Sequence, residues 1–333
     1  MPYWGLFLGI FFLLIVLVIR KKEKLRRFSF ALYVLAALSF AFQYPAYITV
    51  WGSFETKRLI VPLLQIIMFG MGTTMGLKDF KGVIEMPKGI LIGLICQFTV
   101  MPLVGVGLAY SFALPSEIAA GIILIGSCPG GLASNVMAYL ARANIALSIS
   151  LTTVATLISP FLTPFLMQFL SGTLVPINTA DMMISILKMV ILPVVLGLFF
   201  NQLFKRQITF LLPILPKVSM AAILLIIVII TANGRDALLS VGILLILAAV
   251  IHNLAGYFIG YWSCKLLRLP EADCRTIAFE VGMQNGGLAS GIAVEMGRIS
   301  TLGLASVIFG PWMNISGSTL ALWWKEKTDQ SKS

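Results

Sequence analysis

Long apolar runs separated by short polar segments dominate the sequence. Eleven runs approach or exceed the roughly 20 residues that a helix needs to cross a bilayer. They are 3–19, 28–50, 59–77, 88–111, 117–141, 145–171, 181–204, 210–232, 237–264, 272–296 and 301–324. Backbone polar groups in lipid must pair within their own segment, so runs of this length favour helices. The pattern predicts an all-α polytopic membrane protein.

The first run is followed, rather than preceded, by the basic segment 20–27. A secretory signal carries its positive charges before the apolar run and ends in a small-residue cleavage pattern. The sequence here has the opposite order. We therefore predict that residues 1–27 form an extra N-terminal transmembrane helix and a basic cytoplasmic loop, followed by two repeats and a tail at 325–333.

Composition supports a location in lipid. The 333 residues are 59% hydrophobic and 11% charged, whereas soluble proteins are about 25% charged. A net charge of +11 can indicate nucleic-acid binding, but the Lys and Arg residues cluster between apolar runs, which argues against it. Four cysteines lie mostly in apolar runs without CxxC spacing, so we expect buried small side chains: Cys96, Cys128, Cys264 and Cys274.

The basic residues also predict the orientation, because cytoplasmic loops carry an excess of Lys and Arg. With 20–27 placed in the cytoplasm, four basic residues fall outside (Lys57, Arg58, Arg235 and Arg298), and Lys188 lies within a span. The remaining 19 of the 24 fall on the cytoplasmic side: Arg20, Lys21, Lys22, Lys24, Arg26, Arg27, Lys78, Lys81, Lys88, Arg142, Lys205, Arg206, Lys217, Lys265, Arg268, Arg275, Lys325, Lys327 and Lys332. We expect the N-terminus outside and the C-terminus inside.

An internal repeat is marked by the pentapeptide GGLAS, which occurs at 130–134 and again at 286–290, an offset of 286 − 130 = 156. At this offset five spans in 28–171 overlay five spans in 181–324. An odd number of spans reverses the orientation of the second copy, which predicts an inverted repeat of the kind found in secondary carriers. Regular helix lengths alone could produce such overlaps, but a shared motif favours a repeat.

Both GGLAS copies lie near the middle of a predicted span, where the sequence opposes a continuous helix. Pro129 precedes the first copy, and Gly282, Gly286 and Gly287 surround the second. Proline removes a backbone donor and glycine leaves helical geometry easily. Interrupted helices at matching places in two halves indicate the binding site of a carrier. The alternative is close helix packing through small residues.

Polar residues concentrate at these breaks. The acidic residue we find well inside a span is Glu280, and a carboxylate in lipid is a functional candidate. Ser134 and Asn135 follow the first break, and Ser148 and Thr152 share one helix face on the next span. A single carboxylate with hydroxyl and amide oxygens is typical of a hard cation site, here favouring sodium.

Other functions remain open at this stage. The nearest rival is a proton-coupled exporter in which Glu280 carries the proton. An intramembrane enzyme is disfavoured because the spans hold no paired aspartates, no pair of histidines and no Ser/His couple. A channel is disfavoured by the broken repeats and the asymmetric oxygen cluster.

Five motifs resemble the bile acid:sodium symporter family, especially its bacterial members. They are IIMFGMG at 66–72, CPGGLASNVMAYLARAN at 128–144, SPFLTP at 159–164, EVGMQNGGLA at 280–289 and NISGS at 314–318. The similarity covers roughly residues 28–324. It implies ten core helices, with the two broken helices crossing, in a panel domain (28–77 and 181–232) and a core domain (88–171 and 237–324).

The resemblance also implies two sodium sites and a substrate cavity between the domains. The first sodium site would use Ser134, Asn135, Ser148, Thr152 and Glu280. The second would use Gln97, Glu280, Val281, Met283 and Gln284, with Val281 and Met283 acting through their carbonyls. The substrate-binding candidates are Asn285, Gly286 and Asn314, with Leu132 and Met313 nearby.

Two of these positions depart from some bacterial relatives, which look to have Thr at the place of Leu132 and His at the place of Met313. The departures affect the expected substrate more than the expected sodium coupling. We therefore expect a sodium-coupled carrier in the inner membrane that takes a bile-acid-like, pantoate-like or keto acid anion. The sequence leaves the oligomeric state open.

Overall fold

The computed structural model is a helical bundle, and it describes residues 4–19, 29–76, 82, 84–204 and 214–330. The predicted basic loop at 20–27 and the basic residues Lys78, Lys81, Lys205, Arg206 and Lys332 lie outside these ranges. In chain order the helices that position the site and its surroundings are α1 Trp4–Ile19, α2 Ser29–Gln43, α3 Pro45–Thr49, α4 Ile60–Thr74, α5 Pro87–Ser111, α6 Ser116–Ser127, α7 Ala133–Leu140, α8 Ile145–Ser171, α9 Thr179–Leu203, α10 Leu215–Asn233, α11 Arg235–Leu266, α12 Glu271–Gly282, α13 Gly286–Glu295 and α14 Leu304–Gln330.

Every apolar run predicted from the sequence coincides with helix in the described residues. Among the described residues, four helices (α5, α8, α9 and α11) are long and apolar enough to cross a membrane. The runs 117–141 and 272–296 each form two shorter helices, α6 with α7 and α12 with α13. The length of the run therefore predicts helix, while Gly and Pro within it decide whether the helix is continuous.

Two long helices contain a single wide π-helical turn, at Cys96–Val100 in α5 and at Leu187–Ile191 in α9. Each turn is followed closely by a proline, Pro102 in α5 and Pro193 in α9. Proline offers no N–H and its ring crowds the preceding turn. A wide turn relieves that crowding without ending the helix, so both helices continue to their full length.

The helices pack in two neighbourhoods. Helix α4 lies against α9 and α10, and α10 also contacts α2, while α1 packs on α2. In the other neighbourhood α11 lies along α12, α5 along α6, and α14 against α7 and α11. A Cβ added at Gly256 of α11 would lie 2.6 Å from the Cα of Gly282, so these backbones touch. The four cysteines are buried thiols, as predicted.

A short hairpin joins α3 to α4. Strand β1, Val50–Trp51, pairs antiparallel with β2, Phe54–Glu55. Gly52 in the turn has a φ of +64°, which only glycine adopts without strain. Glu55 forms an ion pair with Lys57 at 3.3 Å. The hairpin thus forms most of the connection between α3 and α4.

Candidate functional site

The two helix breaks meet in the interior and pair with each other. Helix α6 ends at Ser127, and Cys128 is extended. Gly130 and Gln284 form an antiparallel bridge. The N–H of Gly131 donates to the carbonyl of Met283 at 2.8 Å, and the N–H of Asn285 donates to Pro129 at 2.9 Å. Each break thus satisfies backbone groups that the other leaves unpaired, which an apolar environment requires.

Close approach explains the glycines of the first break. A Cβ at Gly130 would lie 2.9 Å from the carbonyl oxygen of Glu280 and 3.2 Å from its Oε2. A Cβ at Gly131 would lie 3.1 Å from the carbonyl oxygen of Gln284. The absence of a side chain therefore lets the first break lie directly against the acidic residue of the second.

Around Glu280 the structure brings together the five residues predicted as one group. The carboxylate is 3% exposed. Its Oε1 accepts from the hydroxyls of Ser134 at 2.5 Å and Ser148 at 2.6 Å, and its Oε2 accepts from Thr152 at 2.7 Å. The Oδ1 of Asn135 lies 2.7 Å from the Ser148 hydroxyl. We call these five residues the carboxylate cluster.

The carboxylate cluster has fewer protons than oxygen–oxygen contacts. Besides the bonds to Glu280, the Ser134 hydroxyl lies 2.7 Å from the Gly131 carbonyl, and the Thr152 hydroxyl lies 2.9 Å from the Ser148 carbonyl and 3.3 Å from Asn135 Oδ1. Three hydroxyl protons thus face seven contacts. A hydroxyl donates one hydrogen bond. The set of oxygen atoms fits a hard cation, because a cation attracts all of these oxygens at once and needs no protons from them.

A second polar group lies on the other side of the crossing, and we call Gln97, Val281, Met283 and Gln284 the amide cluster. The Nε2 of Gln97 donates to Gln284 Oε1 at 2.6 Å and to the Cys128 carbonyl. The Nε2 of Gln284 donates to the Val281 carbonyl at 2.7 Å. Gln97 and Glu280 line one small pocket together. The amides of this cluster satisfy nearby carbonyls and each other.

Sequence reasoning missed the residues that fix α8 against α12. The Oδ1 of Asn144 caps α8 by accepting from the N–H of Leu147 at 3.1 Å, and its Nδ2 donates to Asp273 at 2.7 Å. The hydroxyl of Thr276 donates to the Asn144 carbonyl at 2.9 Å. These bonds set the register in which Ser148, one turn further along α8, faces Glu280. An Asn directly before an apolar run is a capping signal that could have found Asn144.

The amide cluster also has supporting partners to which the sequence analysis assigned no such role. Asn253 of α11 donates from Nδ2 to the Gly282 carbonyl at 2.8 Å, and the hydroxyl of Ser316 donates to Asn253 Oδ1 at 2.6 Å. Tyr257 lies 3.1 Å from the Ser316 hydroxyl. The end of α12 is therefore held by a largely buried hydrogen-bond chain that runs to the partly buried Ser316 of α14.

A mostly apolar cavity adjoins the first turns of α7 and α13 and is bounded by α4, α10 and α14. All five residues predicted to bind substrate line it: Leu132, Asn285, Gly286, Met313 and Asn314. The described residues that line this cavity include none with a charged side chain. A ligand there would meet apolar side chains on α4 and α10 and polar groups at the helix breaks.

The two asparagines among these predicted residues already make local hydrogen bonds. The Oδ1 of Asn285 caps α13 by accepting from the N–H of Leu288 at 3.0 Å, which leaves the amide nitrogen as the group that can face the cavity. The Nδ2 of Asn314 donates to the Gly310 carbonyl at 2.8 Å, so its Oδ1 is the free end. The sulfur of Met313 accepts a hydrogen bond from the backbone N–H of Gln284 at 3.1 Å.

A bundle of apolar helices around a buried polar crossing defines the class of multi-pass membrane transporters. The model of the sodium bile acid symporter family matches residues 61–241. The chain is 39% identical over 316 residues to an uncharacterized sodium-dependent transporter, YocS, of Bacillus subtilis (95% of this chain and 96% of the relative). The chain belongs to the sodium bile acid symporter family, as the motifs predicted.

More distant relatives come from plants and animals. A probable sodium/metabolite cotransporter, BASS1, of Arabidopsis thaliana chloroplasts is 34% identical over 262 residues, covering 79% of this chain and 65% of the relative. The human ileal sodium/bile acid cotransporter is 35% identical over 245 residues, covering 71% and 69%. These relatives are named as transporters and not as enzymes, and the chain is accordingly a sodium-dependent transporter.

Proposed function

We propose that the protein uses sodium to drive the uptake of a small organic anion by alternating access. The observation that carries this proposal is the carboxylate cluster, in which one buried carboxylate is surrounded by more oxygen atoms than protons. Sodium binding would turn these crowded oxygens into ligands. Family membership supports sodium as the coupling ion.

Two sodium sites are part of the proposal. The first is the carboxylate cluster itself. The second is the amide cluster with Glu280, where the side-chain oxygens of Gln97 and Gln284 and the carbonyls of Val281 and Met283 would be the ligands. In the structure the Val281 carbonyl accepts from Gln284, and the Met283 carbonyl accepts from Gly131. The second site therefore requires the amides to turn before an ion can bind.

We propose that the anion binds in the cavity beside both breaks. The N-terminal ends of α7 and α13 present backbone N–H groups, which favour negative charge. Asn285, Gly286 and Asn314 supply polar contacts, and Leu132 and Met313 shape the apolar side. Bile-acid-like, pantoate-like and keto acids all match this chemistry. The relatives are named for bile acids and metabolites, which supports the same range.

The proposed architecture is an inverted repeat of 28–171 and 181–324. The close packing of α4 with α9 and α10 supports a panel domain, and the packing of α5 to α8 with α11 to α14 supports a core domain. The distribution of basic residues supports an inner-membrane protein with the N-terminus outside and the C-terminus inside. Rocking of one domain against the other would expose the cavity to each side in turn.

Coupling follows if sodium orders the site that the anion needs. The backbone bridge between Gly130 and Gln284 ties both clusters to the two half-helix ends. An ion that fixes Glu280 and the adjacent breaks would thereby fix the first turns of α7 and α13. Sodium and anion would then each raise the affinity of the other by the same factor.

The test is the thermal stability of the purified protein in sodium, potassium or choline chloride. A ligand of the folded state raises apparent stability by mass action. We expect a sodium-specific rise in the wild type that Glu280→Gln abolishes, because the amide lacks the charge but keeps the shape. An equal response to all three salts would contradict the proposal.

A proton-coupled exporter is the second candidate, because a proton on Glu280 would also ease the shortage of donors in the carboxylate cluster. The same assay separates the two. Stability that follows pH and ignores the identity of the salt cation would support proton coupling. Uptake driven by a sodium gradient at constant pH would exclude it.

A further inference from the structure

The cavity contains a buried hydroxyl with nothing to bond to. Ser306, on α14, is 6% exposed, and its Oγ has no hydrogen-bond partner among the described residues. Native proteins pair most buried polar side-chain atoms. An unpaired hydroxyl in the wall of a ligand cavity therefore indicates a group that the ligand itself satisfies.

The other polar side chains of this part of the cavity are already paired. The hydroxyl of Ser290 donates to the Gly286 carbonyl at 2.8 Å. Asn314 donates to Gly310, and Asn285 accepts from Leu288. Of these four residues, Ser306 is the one whose side chain makes no hydrogen bond within the described part of the chain, so its hydroxyl joins the Asn285 amide nitrogen as a donor that can face a ligand.

Ser306 lies beside the first residue of α13. A Cβ built on Gly286 would lie 3.7 Å from the Ser306 carbonyl oxygen and 3.8 Å from its Cβ. An anion held by the N–H groups at the start of α13 would thus lie next to Ser306. No charged side chain is found among the described lining residues, so the groups of the cavity wall that can meet the anion directly are helix N-termini and hydrogen-bond donors.

We propose that Ser306 is a substrate-binding residue whose hydroxyl donates a hydrogen bond to the carboxylate of the transported anion. The proposal rests on the function proposed above and adds a residue to its anion site. Removing the hydroxyl weakens anion binding while sodium binding stays intact, because Ser306 contacts neither of the two clusters through a hydrogen bond.

The test uses full-length protein in proteoliposomes and three probes: cholate, 2-hydroxy-3-methylbutanoate and 2-oxo-3-methylbutanoate. For each probe that the wild type takes up, we expect Ser306→Ala to raise KM about tenfold, the effect of losing one hydrogen bond to a charged group. The maximal rate and the sodium-induced rise in thermal stability should not change. Ser306→Thr, which keeps a hydroxyl, should restore most of the affinity.

Ser171→Ala is the matched control. Ser171 is a fully buried serine at the far end of α8, and its hydroxyl donates to the Met167 carbonyl of its own helix. Its loss should leave KM unchanged. An unchanged KM in Ser306→Ala would overturn the role of Ser306 and leave the proposed function standing. A wild type that sodium stabilises but that takes up none of the probes would overturn both the anion site and the role of Ser306.

Discussion

The carboxylate cluster and the amide cluster lie on either side of the same crossing, yet their hydrogen bonding differs. In the carboxylate cluster, three hydroxyl protons serve seven contacts, and the charge on Glu280 has no basic partner among its hydrogen bonds. In the amide cluster, Gln97 and Gln284 donate to carbonyls and to each other. The first cluster offers a cation a buried carboxylate, whereas the side chains of the second are neutral amides that are bonded to carbonyls and to each other.

This difference predicts an order of binding. An ion in the carboxylate cluster is attracted by the charge of Glu280, and only three hydroxyls have to turn their protons away, so the first sodium should bind there with the higher affinity. An ion at the amide cluster binds only after Gln97 and Gln284 turn, and its affinity is lowered by the cost of that change. The three substitutions below separate the two clusters, beginning with the largest expected effect.

Thr152→Val removes one hydroxyl from the carboxylate cluster with little change in volume. The Thr152 hydroxyl lies 2.7 Å from the carboxylate. We expect the sodium concentration for half-maximal thermal stabilisation to rise about tenfold, since a hydrogen bond or ligand contact to a charged group contributes about 1.5 kcal/mol.

Thr153→Val provides the control for that measurement. Its hydroxyl is equally buried but donates to the Ile149 carbonyl of its own helix at 2.7 Å. Half-maximal stabilisation of this variant should require the wild-type sodium concentration. Equal effects of the two substitutions would show that general loosening of α8, rather than loss of a ligand, causes the change.

Asn144→Ala tests whether the cap of α8 positions the carboxylate cluster. Loss of the cap and of the bond to Asp273 should lower the free energy of unfolding by about 1–2 kcal/mol. Sodium affinity should fall about fivefold, less than for Thr152→Val, because every ligand remains present. Titration of thermal stability with sodium measures both quantities.

Asn178→Ala is the corresponding control on α9. Asn178 caps that helix by accepting from Asp181 at 3.3 Å and donates back to the Asp181 carboxylate at 2.6 Å. This substitution should cost similar stability without changing sodium affinity. A loss of sodium affinity in both variants would mean that stability alone explains the effect of Asn144.

Gln97→Leu should have the smallest effect on the first sodium and the clearest effect on cooperativity. Because Gln97 belongs to the amide cluster, the half-maximal sodium concentration for thermal stabilisation should change by less than about twofold. That change is well below the one expected for the loss of a hydrogen bond to a charged group. The Hill coefficient for sodium-driven uptake should fall from about 2 to about 1. A large loss of the first sodium's affinity would contradict the proposed order of binding.

The broad fold could be predicted from the sequence because its determinants are local. Run length predicted where the helices lie, and Pro129 with the adjacent glycines predicted where a run would break into two helices. Glu280 was conspicuous because a carboxylate inside an apolar run is costly. In each case the signal lies within one segment of the chain.

The hydrogen-bond partners of the site residues were harder to predict from the sequence. Apolar periodicity shows which face of a helix is buried, but not which residue of another helix it meets. The bond from Asn144 to Asp273 and the chain from Asn253 to Ser316 depend on the packing of helices that are distant in sequence. Ser306 gave no signal in the sequence, because a lone serine in an apolar helix is common and its missing partner is visible only in three dimensions.

The mutual bridge between the two breaks has a consequence for biogenesis. Gly130 pairs with Gln284, so the first break emerges from the ribosome about 150 residues before the backbone that will satisfy it. Until Gln284 has been synthesised, the break between α6 and α7 has unpaired backbone groups in the membrane. The carboxylate of Glu280 must later pair with the hydroxyls of Ser134, Ser148 and Thr152, which were synthesised much earlier. Such distant pairing is slow to form. A side chain at Gly130 would lie against the Glu280 carbonyl, so substitutions there should lower the amount of mature protein in the cell as well as disturb the finished site.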